Sequence, residues 1–225
     1  MTDNSNLHGR LRAVAGQLGL AVDRPVYAEA GRDPLEPVLG GSGSVSARVG
    51  VFGRDPGRHE ILRGEPFVGA GGLLVRDGLL AARRPGAPRD DAARQAIGRE
   101  VCWANTVPYK PVGNKAWSVP VKRAFAPLIA EWLGDVWQGT ELLVLGADAL
   151  AWFGLADPSL AGAVADFQAR EDRYTASLSL SVRGRAIRVH PLPHPSPLNV
   201  RWYRRFPELL AGRLAALGVG PAGWG

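Results

Sequence analysis

The alternation of apolar runs along this chain predicts an α/β fold, specifically a single three-layer αβα domain with a mainly parallel central sheet. Three observations carry that expectation. Short apolar runs suited to buried strands alternate with longer stretches whose apolar residues recur at helical spacing. The runs that read as strands open into glycine- and proline-bearing loops and then into helices, which is the order of a βα unit. A length of 225 residues with 46% hydrophobic content is enough to bury one substantial core.

In chain order, a helical stretch around Leu7 to Leu20 precedes a Gly/Pro-rich run from Pro34 to Gly43. Residues 1–45 therefore read as an N-terminal arm and loop packed on the core, ahead of an α/β region at 46–225, with one domain overall. Ala47 to Phe52 is an apolar strand ending at Gly53, and Gly69 to Arg84, with Leu73, Leu74, Leu79 and Leu80, is mostly helical. Val101 to Ala104 reads as the next strand. Val121 to Leu133 is a helix, with Pro120 in its first turn, where a missing N–H is harmless. Glu141 to Gly146 and Ala147 to Phe153 repeat the strand and helix. Leu178, Leu180 and Val182 alternate with serines, and Arg183-Gly184 turns the chain into Ala186 to Val189.

Composition narrows the function. No apolar run approaches the roughly 20 residues of a membrane span, and Met1 to Leu20 lacks the apolar core and cleavage site of a signal peptide, so a cytoplasmic protein is expected. The single Cys102 reads as a buried strand thiol and excludes an intramolecular disulfide framework or a site built on several thiolates. No cofactor and no metal are expected. The net charge of +6 and pI of 10.1 suit a polyanionic partner, although much of the charge is arginine, which a biased genome also supplies.

A parallel sheet binds ligands at the carboxyl ends of its strands, which directs attention to residues 53–72, 105–117 and 190–199. In the first loop, Gly53-Arg54-Asp55-Pro56-Gly57 places a carboxylate at a strand end beside a turn-stiffening proline, suited to holding a water or opposing a developing positive charge. Gly31-Arg32-Asp33-Pro34 repeats four of these residues but follows no strand, and reads as an ordinary turn. In the second loop, Asn105 offers an amide with both donor and acceptor, as the edge of a pyrimidine requires; the alternative is a strand-end hydrogen bonder. In the third, His194-Pro195-Ser196-Pro197-Leu198-Asn199 holds His194 and Leu198 on a proline-stiffened backbone.

These segments resemble the motifs of the uracil-DNA glycosylase superfamily. Gly53-Arg54-Asp55-Pro56 resembles the Gly-Gln-Asp-Pro of the major family, and His194 to Leu198 its His-Pro-Ser-Pro-Leu. Gly57 and Gly64 to Leu74, Trp103 to Val107 and Leu143 to Ala147 are similar to the iron–sulfur branch, so the resemblance runs from about Ser46 to Leu210. It implies a DNA glycosylase of base excision repair, a monomer that flips uracil or a related deaminated base out of DNA and hydrolyses its glycosidic bond, with no lyase step. It also implies roles: Asp55 positions the attacking water and opposes the cationic sugar, and His194 holds the leaving base. Phe67 stacks on that base and Asn105 reads its edge, with Gly53, Arg54 and Gly57 around it. Leu198 is the wedge that fills the vacated stack. Ser196 and Pro197 accompany it on the DNA, and Arg201, Arg204 and Arg205 grip phosphates or form an exposed arginine face.

Two departures stand out. Tyr109 occupies the place of one of the iron–sulfur branch's four cysteines, so no cluster is expected. Gly57 stands where the major family has a tyrosine that excludes thymine's methyl group, which leaves base preference open. Three other classes compete. A serine hydrolase at Ser196 lacks a nucleophile elbow, and a metal-dependent hydrolase using His59, Glu60, His190 and His194 lacks ligand spacing. A non-catalytic member of the same fold, binding nucleic acid or a damaged base, is the stronger rival, against which the retention of both Asp55 and His194 argues.

Overall fold

The computed structural model describes residues 4–197 and 199–225. Strand β1 (Val49–Gly53) sits inside a five-stranded sheet, with β2 (Cys102–Asn105) on one side and β3 (Glu141–Leu145) on the other, all parallel. Strand β5 (Arg185–Leu192) continues parallel beyond β3, and β4 (Leu178–Val182) closes the edge antiparallel, giving the order β2-β1-β3-β5-β4. Central strands covered on both faces need apolar side chains at every position, and β1 is buried throughout. The edge strand needs only one apolar face: Leu180 and Val182 point inward while Ser179 and Ser181 are exposed. Arg183 and Gly184, both with positive φ, make the two-residue turn between β4 and β5.

Helices cover both faces. Successive residues of β1 feed opposite cores: Val49 and Val51 pack with α4 (Ala70–Arg83), α5 (Asp91–Gly98) and α9 (Val200–Ala216), and Phe52 with the other layer. That other layer holds α1 (Asn4–Gln17), α6 (Val119–Glu131), α7 (Ala147–Ala156) and α8 (Ala161–Ala169). In α9, Phe206, Leu210 and Leu214 recur every fourth residue and are fully buried, each contributing about 1.5–3 kcal/mol. Helix α6 ends in one wide turn, Trp132–Val136, that brings Trp132 and Leu133 into the core. Two short helices, α2 (Arg24–Glu29) and α3 (Arg58–Arg63), and a hairpin of β6 (Val219–Gly220) and β7 (Gly223–Trp224) complete the chain. Among the described residues no helix is long and apolar enough to cross a membrane.

The first 45 residues bear on the site through the loop after β2. Leu7, Leu11, Ala15, Tyr27 and Val38 are buried in the core. The amides of Asp23 and Val38 donate to the carbonyls of Lys110 and Pro108, the Lys110 ammonium meets Asp23 at 2.7 Å, and the Tyr109 hydroxyl donates to the Leu35 carbonyl. Tyr109 also lies against the Phe125 ring, so the position where the iron–sulfur branch has a cysteine is filled by packing.

A buried polar chain ties the far side of the sheet to α9. Glu141 and His190 meet at 2.6 Å, and the other imidazole nitrogen of His190 meets the Ser177 hydroxyl at 2.9 Å. Arg213 donates to that hydroxyl and to the carbonyls of Thr175 and Ala176. Burial lowers the His190 pKa, so its ring is neutral. Arg213→Ala leaves these carbonyls unpaired and is expected to cost about 1–3 kcal/mol of stability, read as a thermal midpoint several degrees lower. An unchanged midpoint would contradict this role.

Candidate active site

The connection leaving β1 leads to β2 on one side, and the connection leaving β2 returns past β1 to β3. The crevice of a doubly wound sheet opens where such connections diverge, at the carboxyl ends of β1 and β3. A cleft of about 680 Å³ lies there, within the usual range of roughly 300–1,000 Å³ for ligand sites. Gly53, Arg54, Asp55, Gly57, Phe67, Asn105, His194, Ser196 and Pro197 all line it. The three loops singled out by sequence thus meet in one place. Arg201, Arg204 and Arg205 are not in the cleft; they are exposed on the first turns of α9. Leu198 lies outside the described residues. Asp33, in the repeated tetrapeptide, accepts from the Leu35 amide and pairs with Arg12 on the surface, as a turn residue does.

Asp55 is the most constrained group in the cleft. Its side chain is 2% exposed, with Oδ2 taken by Arg54 Nε at 2.9 Å. Its other oxygen, Oδ1, is buried and has no hydrogen-bond partner among the described residues. Burial pushes the pKa up to about 7, against the pull of Arg54 and, more weakly, Lys122. At neutral pH the free protein is therefore divided between an ionised and a protonated Asp55. Arg54 is held in turn: its guanidinium donates to the Asn114 carbonyl and lies 3.9 Å from Asp148. The Arg54 carbonyl accepts from the Thr106 hydroxyl at 2.6 Å, which fastens the β1 loop to the end of β2.

Glu60 closes the first loop. Its carboxylate accepts from the amides of Gly57 and Gly69, at 3.0 and 2.8 Å, so the two ends of the loop are pinned to one side chain. This bond to Gly57 is half of a capping box, since Gly57 begins α3 and has no side chain to return the bond. A Cβ at residue 57 would sit 2.8 Å from Glu60 Oε2, so a side chain there would push aside the carboxylate that holds the two amides.

Phe67 has a φ of 56°, a conformation that costs a non-glycine residue about 1–3 kcal/mol and is held only where the surroundings dictate it. Arg76, 1% exposed on α4, supplies that hold: its guanidinium donates to the carbonyls of Phe67, Pro66 and Arg94 and pairs with Glu65 at 2.9 Å. The Phe67 ring lies against Gly53, where a Cβ would come within 2.7 Å, and tilts on Trp103 with centroids 5.2 Å apart. Gly53 is required because Phe67 occupies the space of its side chain.

Asn105 ends β2, is 3% exposed, and its amide has no partner among the described residues. His194 is exposed to the cleft, yet enough protein surrounds the ring that burial, with Arg54 adding to it, lowers its pKa from 6.5. Its ring is neutral at physiological pH and can donate one N–H. The Ser196 amide donates to the His194 carbonyl and the Asn199 amide to that of Ser196, so the loop turns on itself before α9. Arg76, Thr106 and Asp148 were not identified as site residues from the sequence, and Glu60 only as a ligand of the metal-dependent alternative: Thr106 and Asp148 act on Arg54, far off in the chain, and Glu60 and Arg76 bind main-chain groups, which no side-chain motif records. Only Glu60 carried a local signal, its position three residues after the start of α3.

The metal-dependent alternative loses its ligands to other work. Glu60 holds two amides, His190 is paired with Glu141, and among the described residues no group of three or more His, Cys, Asp or Glu side chains is placed to hold a metal. An iron–sulfur cluster does not fit either: Tyr109 is packed, and Cys102 is buried with its thiol pKa pushed up to about 12, away from the thiolate that ligation needs.

By its fold the chain is a doubly wound α/β protein with its crevice at the switch point of the sheet. More specifically, residues 41–218 match the model of the Uracil DNA glycosylase superfamily, and the chain belongs to that superfamily. Comparison with curated proteins gives no match. The family match begins beyond α1 and α2, so these helices lie outside it.

Asp55 has a folded pKa of about 7 against an ordinary value of 3.8, so the protonated form favours the fold. Its contribution is fully present below about pH 4 and is lost as pH rises through 7, at a cost of roughly 4 kcal/mol. Asparagine cannot ionise, so Asp55→Asn is expected to unfold about 8–16 °C above wild type at pH 8, with the gap closing toward pH 4. A gap independent of pH in thermal melts would contradict the buried carboxylate.

Proposed function

We propose that the protein is a DNA glycosylase of base excision repair, which hydrolyses the bond between sugar and base for uracil or a related deaminated base extruded from DNA. The observation that carries this reading is the buried, unpartnered Asp55 Oδ1 in a cleft shared with His194, Phe67 and Asn105. Breaking the glycosidic bond leaves positive charge on the sugar and an electron pair on the base. A carboxylate near the sugar and an N–H donor near the base stabilise both halves of that transition state. Asp55 Oδ1 accepts a hydrogen bond from the attacking water and then its proton, as water oxygen bonds to the sugar carbon. His194, neutral, donates to the base oxygen that gains charge. Phe67 stacks on the base and Asn105 pairs with its edge. Ser196, Pro197, Leu198 and the arginines of α9 contact the strand, with Leu198 filling the space the base leaves. Arg54 holds Asp55 in place, and its charge favours the ionised form.

With Gly57 in place of a bulky residue, the base need not be uracil alone. Incubation with labelled oligonucleotides carrying uracil, thymine, hypoxanthine or xanthine, followed by alkaline cleavage, identifies the substrate. Asp55→Asn is expected to lower turnover by roughly two to three orders of magnitude while affinity for DNA changes little. Asp33→Asn, in the surface copy of the tetrapeptide, is expected to stay within about twofold of wild type. No excision of any of the four bases by wild type, with binding retained, would favour the non-catalytic reading.

A further inference from the structure

A second cavity, of about 240 Å³, lies beside the first and is not used in the reading above. It is walled by Gly146 and Ala147 at the start of α7, by Leu192 at the end of β5, and by Arg173 and Tyr174 of the segment after α8. Gly146 joins the two sites: it lines this cavity, and a Cβ on it would lie 3.0 Å from His194 Cβ. The cavity leads to an aromatic and cationic patch. The Tyr174 ring meets Trp202 of α9 edge to face with centroids 4.9 Å apart. Arg173 lies 4.9 Å over Tyr174, and Arg201 and Arg205 lie 5.1 and 5.5 Å over Trp202.

None of Arg173, Arg201, Arg204 and Arg205 forms an ion pair among the described residues. The Asp172 carboxylate beside Arg173 is taken by both arms of Arg170. Glu171 and Glu208, on the same two segments, pair with none of the four. Cations left without acids beside half-buried rings fit a polyanion that also carries flat bases. The cavity is smaller than the roughly 300–1,000 Å³ of sites for larger small molecules, and suits a single ring.

We propose that this patch is a stacking subsite for an unpaired nucleotide of the strand flanking the extruded one, with its base against Tyr174 and Trp202 and its phosphates against Arg173 and Arg201. The proposal deepens the glycosylase reading and rests on it. It makes single-stranded DNA a substrate whose flank is gripped as well as its target base.

The test compares single-stranded oligonucleotides carrying the excised base with normal flanks and with flanks made of abasic spacers. Trp202→Ala and Tyr174→Ala are expected to raise KM on the normal flank roughly ten-fold, the size of one stacking contact, with kcat within about twofold. Wild type is expected to lose the same factor on the spacer flank. Trp202→Ala should lose nothing further there, and Trp202→Phe should restore most of the affinity. A merely structural Trp202 would, on replacement by Ala, raise KM and lower kcat on both flanks alike, and that result, or unchanged KM on the normal flank, overturns the subsite. Fluorescence anisotropy on a labelled strand separates the two readings. A flank-dependent loss of binding without excision by wild type keeps the subsite and removes the glycosylase. Excision with no flank dependence in any variant does the reverse.

Discussion

Asp55 is kept out of water at the end of β1, with one oxygen against Arg54 and the other without a partner among the described residues, and a buried carboxylate in that condition has to be held there by its surroundings. A carboxylate free to move would turn toward solvent and return to its ordinary pKa. The loop that carries it is fastened at three points: Thr106 at the Arg54 carbonyl, Asn114 at the Arg54 guanidinium, and Glu60 at the Gly57 amide. Thr106 and Asn114 come from the loop after β2, and Glu60 from α3. The shape of the cleft follows from these ties.

The same economy of support recurs on the opposite wall. Phe67 sits in a backbone conformation that its own chemistry disfavours, and Arg76 stabilises it by placing a fully buried guanidinium among three carbonyls and the Glu65 carboxylate. Burying a cation is costly unless it is paired and hydrogen-bonded, and Arg76 is both. Strain and buried charge concentrated around one crevice are what a preorganised binding site requires, since groups already in position need not reorganise when a ligand arrives. His194 differs in kind. It lies on a loop stiffened by Pro195 and Pro197 and is exposed to the cleft, whereas Asp55 is almost fully buried in its wall.

The strands were legible because their burial leaves a local trace: β1 and β3 are continuous apolar runs, and β4 alternates leucine or valine with serine. Helices with a strong apolar stripe, α4 and α6, were equally plain. Helices α2 and α3 are only six residues long, too short for a period to show, and α9 carries Pro207 and many arginines on a face that reads as polar. In the site, the residues that line the cleft were visible as motifs at strand ends. The residues that hold them were not. Glu60 and Arg76 are of residue types usually found at the surface, and what places them in the interior is a set of main-chain amides and carbonyls, which leave no trace in the side-chain sequence. The hold on Arg54 was hidden for the same reason, since Asn114 comes from the loop after β2 and Asp148 from the first turn of α7. The two Asp-Pro copies were told apart because only one follows a strand.

The proposed reaction centres on a desolvated Asp55 that acts in its ionised form, and the titration of that carboxyl is measurable directly. The ¹³C carboxyl resonance of Asp55, assigned by its loss in Asp55→Asn, should titrate with a midpoint near 7 in the free protein. The pH profile of kcat/KM for base excision should rise through the same midpoint, because kcat/KM reports the ionisation of the free enzyme. A midpoint near 4, or excision that is flat across pH 5 to 8, would contradict it.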